Sequence, residues 1–230
     1  MLSIHQSQYL PWPAFFKKIA LSEIFVILDD VQFQKNGVQN RNKLRNKNGD
    51  FWLTIPVIGS HGETILEKKI ADTNWRRKHF LSISQSYSRS PNWNIFQDDI
   101  RNILNIKTNL LHEVNTNFIQ YFLNYFNLKT EIIFSSSMGI KSSKGDLIID
   151  ICKEVGAERY ISGLGAKDYI NLDDFKSNNI EVCFLPSRNP IYNQYSGEFI
   201  PDLSIIDLVM NESKDFVLEY LYGESNFADK

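Results

Sequence analysis

The sequence predicts an α/β fold, with an open, mostly parallel Rossmann-like sheet, helices on both faces and a helical middle segment. Two observations predict it. Short apolar runs alternate with segments of helical spacing at both ends of the chain, and parallel strands need such helical crossovers. The middle of the chain, from Trp75 to Phe126, has mainly helical spacing. We therefore expect one α/β domain over residues 1–230, in which residues 71–128 form a mainly helical insertion.

The first half of the chain begins with a strand–helix–strand unit. Residues 1–5 are strand-like, Pro13 suits the first position of a helix, and IFVIL (24–28) is typical of a strand buried on both faces. The polar residues 31–50, rich in Asn and Gln, predict a long loop, and such loops are often functional. Further strands are expected over residues 51–57 and, at a sheet edge, 60–70.

The second half of the chain returns to the alternating pattern. Three apolar runs predict strands, namely EIIF (131–134), ERYIS (158–162) and IEVCFL (180–185). Between the first two lies KGDLIIDICKEVG (144–156), which predicts a helix that Gly156 closes. Helical segments also follow each of the last two strands.

Composition and charge exclude several classes of protein. The net charge of −2 and the lack of an extended basic run argue against a nucleic-acid partner. No apolar stretch approaches the roughly 18 residues of a membrane span, so no membrane insertion is expected. The N-terminus lacks the basic region and long apolar core of a signal peptide, which predicts a cytoplasmic protein. Cys152 and Cys183 lie within apolar runs and are expected to be small buried hydrophobes.

The ends of the predicted strands indicate where a ligand binds. In open α/β sheets, ligands bind beyond the carboxyl ends of the strands, near the point where strand order reverses. Three predicted strands end in polar or small residues, which are His5 and Gln6, Asp29 and Asp30, and Ser162 and Gly163. We therefore expect a site at this edge.

His5 is the best candidate for a general base, because an imidazole exchanges protons near neutral pH. Asp29 or Asp30 could orient its ring, since the first two strands of such a unit are often neighbours. The same three residues could instead bind a divalent metal ion. A third interpretation is structural, with His5 hydrogen-bonded in the core and Asp29 capping the next loop.

The polar loop after Asp30 offers further candidates for ligand binding. Gln32, Arg41 and Asn42 supply donors and acceptors that suit a hydroxyl-rich or phosphate-bearing ligand. Alternatively, the loop is rich in Asn only because Asn tolerates turns. The basic stretch from Lys35 to Lys47 is either solvated or attracts a phosphate group or an acidic partner.

The turn after the strand 158–162 could bind an anion. Backbone N–H groups around Ser162 and Gly163 could face it, and Lys167 adds a positive charge. The turn has no complete dinucleotide or P-loop fingerprint, so a nucleotide cofactor is not indicated and no cofactor is expected.

Several blocks of the sequence together resemble the WbqC-like protein family. They are HQSQYLPWPAFFKKIALSEIFVILDDVQFQKNGVQNRNKL, FWLTIPV, YISGLGAKDYI and PIYNQYSGEFIPDLSIIDLVMN. The resemblance extends over nearly the whole chain, and the order of the motifs in the first block is specific. The chain departs from the family pattern at Ser7 and Leu164, where proline is usual. Both positions are in predicted turns, so they affect loop shape more than chemistry.

The resemblance implies a bacterial transferase in the biosynthesis of O-antigen or another surface polysaccharide. Such an enzyme would attach glycine or another small acyl group to the amine of a nucleotide-linked amino sugar. His5, with Asp29 or Asp30, would be the base, and the amides around Gly163 would stabilise the oxyanion. Arg41 and Lys167 would hold the diphosphate. The matching blocks add further expected substrate contacts at Gln6, Tyr9, Trp12, Asp168 and Tyr169.

Two other functions stay open at this point. A first strand that ends in His is distantly similar to the first strand of adenylyltransferases with paired His motifs. The second His of those motifs is missing here, so a nucleotidyl-transferring or adenylating enzyme is the weaker alternative. The chain could also be a non-catalytic module that binds a sugar nucleotide or a carrier protein. The basic stretch 35–47 would then dock an acidic acyl-carrier protein, which is also a possible acyl donor for the transferase.

Overall fold

The computed structural model describes residues 1–71, 74–167, 170–186, 189–195 and 197–223. In chain order, its elements are β1 (Leu2–Gln6), α1 (Pro13–Ala20), β2 (Ile24–Leu28), β3 (Arg41–Asn46), β4 (Gly49–Thr54), β5 (Val57–Ile58), β6 (Lys69–Ile70), α2 (Trp75–Tyr87), α3 (Trp93–Leu104), α4 (Leu111–Phe126), β7 (Glu131–Phe134), α5 (Lys144–Glu154), β8 (Arg159–Gly163), α6 (Leu172–Ser177), β9 (Glu181–Leu185), α7 (Ile205–Asn211) and α8 (Lys214–Tyr222). Short 3₁₀ turns follow β7 and β8, over Ser135–Ser137 and Leu164–Ala166.

A five-stranded parallel sheet forms the centre of the molecule, which confirms the predicted fold class. Its strand order is β7-β2-β1-β8-β9. The chain builds outward from β1 through β2 to β7, and then returns to the opposite side of β1 for β8 and β9. Strand order therefore reverses between β1 and β8, and the carboxyl ends of these two strands flank the position where such sheets bind ligands.

Alternating side chains of the sheet enter two hydrophobic cores. Phe25 and Ile27 of β2 belong to the larger core, to which α1, α2, α3, α4, α7 and α8 also contribute. Leu2 and Ile4 of β1 belong to the smaller core, with side chains of α5 and α6. Because successive strand residues point to opposite faces, one strand can supply both cores. Helices thus cover both faces of the sheet, as predicted.

The helical middle segment packs through an aromatic stripe. Phe118, Phe122 and Phe126 of α4 are spaced four residues apart and are almost completely buried, so they lie on one face of the helix. Asn127 ends the helix with a left-handed backbone (φ 57°), a conformation that Asn tolerates better than most residues. The boundaries of the insertion, 71–128, stay a prediction.

Two small antiparallel pairs correct the expectation for residues 31–70. The predicted loop over 31–50 is wrong in its second part, because Arg41–Asn46 forms β3 and pairs with β4. Of the inward positions of β3, Asn42 is polar and only Leu44 is apolar, so the sequence hides the alternation. The predicted edge strand over 60–70 is reduced to β6, which pairs with β5 over two residues.

None of the helices in the described ranges combines the length and the apolar character needed to cross a lipid bilayer.

Candidate functional site

A cavity of about 420 Å³ lies where strand order reverses, at the carboxyl ends of β1 and β8. Its volume is within the range of small-molecule sites. The walls are mainly apolar, and the polar side chains that line it come from three elements. The polar residues are His5, Gln6, Lys18 and Ser162, and the larger apolar ones are Ile4, Trp12, Phe15, Leu28, Tyr160 and Leu185.

His5 occupies the next-to-last position of β1 and lines this cavity. Its ring packs edge-on against Phe15, with the ring centroids 5.3 Å apart. Desolvation lowers the pKa of His5 to about 3, and the positive charge of Lys18 contributes to the shift. The imidazole is therefore neutral near pH 7, and one ring nitrogen has a free electron pair.

Two groups compete for Nδ1 of His5. The carbonyl oxygen of Gln6 lies 3.2 Å from it and can only accept, so this contact requires a proton on Nδ1. The amide Nε2 of Gln8 also lies 3.2 Å from Nδ1 and donates, so this contact requires an unprotonated Nδ1. The first tautomer leaves Nε2 as the basic atom, with the amide nitrogen of Gln8 3.5 Å away as a donor to it, and the second makes Nε2 a donor.

Lys18 is the one cationic side chain among the described residues that line the cavity, and it was not among the predicted site residues. It lies on α1 and is 9 % exposed, and burial lowers its pKa to about 8. Helical side chains lean toward the N-terminus of their helix, which directs Lys18 toward the carboxyl end of β1. Ser3 and Ser22 donate hydrogen bonds to its backbone oxygen, at 3.4 and 2.8 Å, and fix this part of α1 against β1.

The end of β8 supplies the small and polar side of the cavity. Ser162 is 1 % exposed, and its hydroxyl approaches Tyr160 without forming a hydrogen bond of normal geometry. A Cβ atom at Gly163 or Gly165 would meet nothing within 4 Å, so both glycines border open space. Lys167 follows this turn, is exposed, and places Nζ 5.9 Å from the ring centroid of Phe184.

Asp29 and Asp30 bind serines at the end of β7. Asp29 is 1 % exposed, and its carboxylate accepts hydrogen bonds from Ser135 Oγ (3.1 Å), Ser136 N (2.9 Å) and Ser136 Oγ (2.7 Å). Ser135 Oγ also contacts Asp30. His112 Nε2 lies 3.7 Å from Asp29 Oδ2. Asp29 thus fastens the carboxyl end of β2 to the turn after β7 and to α4.

This arrangement corrects the hypothesis that either carboxylate orients the ring of His5. Within the part of the chain that the structure describes, neither Asp29 nor Asp30 hydrogen-bonds to His5, and neither lines its cavity. The described residues also contain no group of three His, Cys, Asp or Glu side chains placed to hold a metal ion. The alternative of a metal site at these three residues has no geometric support.

Tyr9 and Asn42 are buried supports of the fold, which corrects their expected contact with substrate. Tyr9 is 0 % exposed and donates to Nδ1 of His79 (2.8 Å), because Nε2 of that ring bonds to the carbonyl of Thr54 (3.1 Å). Asn42 is 2 % exposed and donates to the carbonyl of Leu10 at 2.6 Å. Neither side chain reaches the cavity.

Arg41 and Gln32 also lie outside the cavity lining. The guanidinium of Arg41 stacks over Trp52, 4.3 Å from its centroid, and bonds to the carbonyl of Asn36. Gln32 is exposed and forms a single β-bridge to Thr64. Trp12 lines the cavity at the start of α1. Of the remaining predicted contacts, Asp168 and Tyr169 lie outside the described residues.

Gln6 connects the cavity to a polar network that sequence reasoning did not find. Gln39 Nε2 donates to Gln6 Oε1 at 2.8 Å. Asn115 of α4, which is fully buried, donates to the carbonyl of Gln39 at 2.8 Å and to Ser7 Oγ at 3.1 Å. One signal was available, because Asn115 and Lys18 each interrupt the apolar face of a predicted helix.

Comparison with known proteins gives a family and a relative. The model of the WbqC-like protein family matches residues 6–218. The chain is also 28 % identical over 223 residues to a protein of Mycobacterium tuberculosis (strain ATCC 25618 / H37Rv) named "Uncharacterized protein Rv1507c". That alignment covers 94 % of this chain and 96 % of the relative. No solved structure gives a significant match.

Proposed function

The chain belongs to the WbqC-like protein family, and we propose that it is a transferase that attaches glycine or another small acyl group to the amine of a nucleotide-linked amino sugar. The reaction would serve the biosynthesis of O-antigen or another surface polysaccharide. The observation that carries the proposal is the cavity between β1 and β8, which combines a neutral imidazole, open backbone and apolar walls.

The proposed chemistry assigns proton transfer to His5. The amine of the sugar attacks the acyl carbon and forms the new C–N bond, and its surplus proton passes to the unprotonated ring nitrogen of His5, where it replaces the contact with the amide of Gln8. The tetrahedral intermediate then expels the leaving group, which takes up the proton. When Nδ1 donates to the carbonyl of Gln6, Nε2 is the accepting atom. Neither a metal ion nor a cofactor is required for these steps.

The turn after β8 is proposed to stabilise the oxyanion. Gly163 and Gly165 border open space, so an oxygen of the ligand can approach the backbone amides there without meeting a side chain. Lys167, exposed on the same turn, is placed to attract the diphosphate of the sugar nucleotide. Arg41 is stacked on Trp52 and is proposed to contribute only to long-range attraction. The donor of the acyl group would be an acyl-carrier protein or a smaller activated acid.

A second candidate function is non-catalytic binding of a sugar nucleotide. The observation that favours it is the pKa of about 3 for His5, because a base that weak accepts a proton poorly at neutral pH. As a binding module, the protein would use the same cavity and hold the ligand without changing it.

A transfer assay separates the two functions. Purified protein is incubated with a panel of nucleotide-linked amino sugars and acyl donors, and mass spectrometry detects the acylated sugar. If the protein is a transferase, the wild type should form product, and His5→Gln should lower the rate of transfer at least about 100-fold. The control His61→Gln, which changes an exposed histidine, should keep full activity. Tight binding without product would favour the binding module. Unchanged turnover by His5→Gln would remove His5 from the mechanism.

A further inference from the structure

Lys18 is a buried cation without a counterion in the described part of the chain. It is 9 % exposed, and its ammonium group forms no hydrogen bond or ion pair with any described residue. None of the described residues that line the cavity is acidic. A buried charge is costly unless it is paired, and proteins usually pair or neutralise it. The charge of Lys18 is therefore available to a group that enters the cavity.

A second polar side chain lines the cavity on β8, and its hydroxyl approaches Tyr160. Ser162 is 1 % exposed, and its hydroxyl lacks a hydrogen-bond partner of normal geometry. A hydroxyl can donate to an anion, as can the backbone amides of the adjoining glycine-containing turn. Lys18 and Ser162 both line this cavity, and an ammonium and a hydroxyl are donors that suit an oxyanion.

We propose that Lys18 and Ser162 form an anion subsite, which binds a carboxylate or phosphate group of the ligand within the cavity between β1 and β8. This subsite depends on the proposed function in one respect only, namely that the ligand binds in this cavity. The apolar walls formed by Phe15, Leu28 and Tyr160 would contact the uncharged part of the same molecule. A single ammonium favours one anionic group at this position.

The subsite also affects His5. The positive charge of Lys18 disfavours protonation of the neighbouring imidazole. An anion bound to Lys18 cancels much of that charge and so raises the pKa of His5 toward the range in which a base is effective. Ligand binding would thereby strengthen the base, while desolvation, the larger cause of the lowered pKa, would remain.

The test is a titration followed by NMR, which needs no turnover. Protein carrying ¹³C-labelled lysine and ¹⁵N-labelled backbone is titrated with inorganic phosphate, acetate, uridine and uridine diphosphate. We expect the Lys18 and Gly163 signals to shift with phosphate or acetate. A response to phosphate and uridine diphosphate alone identifies a nucleotide phosphate as the source of the anion. A response to acetate alone identifies the carboxylate of an acyl group.

Variants then assign the effect to the charge of Lys18. Lys18→Met should weaken anion binding at least tenfold, whereas Lys18→Arg should retain it within a few fold. Lys17→Met is the matched control, because Lys17 is the adjacent residue of α1 and bonds instead to the carbonyl of Tyr220 at 2.9 Å. Lys18→Gln replaces Lys18→Met if thermal unfolding shows that the latter is poorly folded.

Two results would overturn the anion subsite. One is that neither anion moves the Lys18 or Gly163 signals of the wild type. The other is that a folded Lys18→Met variant binds the anion as tightly as the wild type does. Because these readouts are binding constants, the subsite can be confirmed even if no transfer reaction is found, and transfer can be found even if the subsite fails.

Discussion

Lys18 and His5 line the same cavity, and the charge of the lysine lowers the pKa of the histidine. The two groups come from consecutive elements, β1 and α1, so the first crossover of the sheet places a cation beside the imidazole. Desolvation acts in the same direction and is the larger cause. The protonation of His5 therefore depends on what occupies the cavity.

Removal of the charge on Lys18 should raise the pKa of His5. The wild-type value is about 3, and Lys18→Met abolishes the repulsion between the two cations while leaving most of the burial in place. The pKa should rise but stay below about 6.5, the ordinary value for histidine. Titration of the imidazole nitrogens by ¹⁵N NMR measures it. Lys17→Met should leave the value as it is, and an unchanged pKa in Lys18→Met would show that the two groups do not interact.

Gly163→Val should close the cavity without disturbing the fold. The backbone at Gly163 is extended (φ −79°, ψ 153°), which a β-branched residue adopts readily, and its added Cβ meets nothing within 4 Å. We expect sugar-nucleotide binding to fall at least about tenfold, which corresponds to about 1.4 kcal/mol, with thermal stability nearly unchanged. Calorimetric titration and thermal unfolding measure the two quantities. Gly163→Ala, with a smaller side chain, should lose less affinity. Full affinity in Gly163→Val would place the ligand elsewhere.

Asp29→Ala should destabilise the protein far more than Asp30→Ala. Asp29 is buried and accepts three hydrogen bonds, so its loss leaves the amide and the hydroxyl of Ser136 without their acceptor, at a cost of about 3 kcal/mol. Asp30 is only partly buried, and its loss should cost about 1 kcal/mol or less. Urea unfolding gives both free energies. Equal effects of the two substitutions would contradict the anchoring role of Asp29.

Acid should destabilise the fold through His79. Burial lowers the pKa of His79 to about 4, whereas the unfolded chain titrates near 6.5. Between these pH values the unfolded state binds more protons than the folded state, so the free energy of unfolding rises with pH. The contribution of His79 to this free energy is lost as the pH falls from about 6.5 to 4. The full loss at His79 amounts to about 3.5 kcal/mol, because the two pKa values differ by about 2.5 units and each unit is worth about 1.4 kcal/mol.

Urea unfolding at pH 7 and pH 4.5 tests this dependence. In His79→Gln, the amide can still bond to Tyr9 and Thr54 but does not titrate, so the difference between the two pH values should shrink. His61→Gln, which alters an exposed residue, should keep the full difference. Equal pH dependence of wild type and His79→Gln would refute the assignment.

The sequence allowed the central sheet to be predicted because its signals are local. Apolar runs such as IFVIL mark buried strands, and the residue that follows each run marks its carboxyl end. The general rule for ligand position in such sheets then placed His5, Gln6, Ser162 and Gly163 at one edge, and all four line the cavity. Strand β3 was missed because only one of its inward side chains, Leu44, is apolar.

The network around the site could not be predicted, because its contacts join distant parts of the chain. Asp29 meets serines 106 and 107 positions away, and Asn115 meets Ser7 across 108 positions. In the sequence, Asp29 and His5 are equally close to the end of a strand. Only the structure shows that Asp29 binds serines while His5 lines the cavity. Lys18 follows Phe15 by three residues on a buried helix face, a pattern that predicts an inward lysine but not its neighbour.

The position of the ligand between β1 and β8 can be tested by mapping the chemical shifts that a nucleotide-linked amino sugar causes in ¹⁵N-labelled protein. The largest shifts should occur at Gln6, Ser162, Gly163 and the imidazole of His5. Shifts concentrated instead at the polar groove of about 870 Å³ beside Lys47 and Arg89 would contradict it.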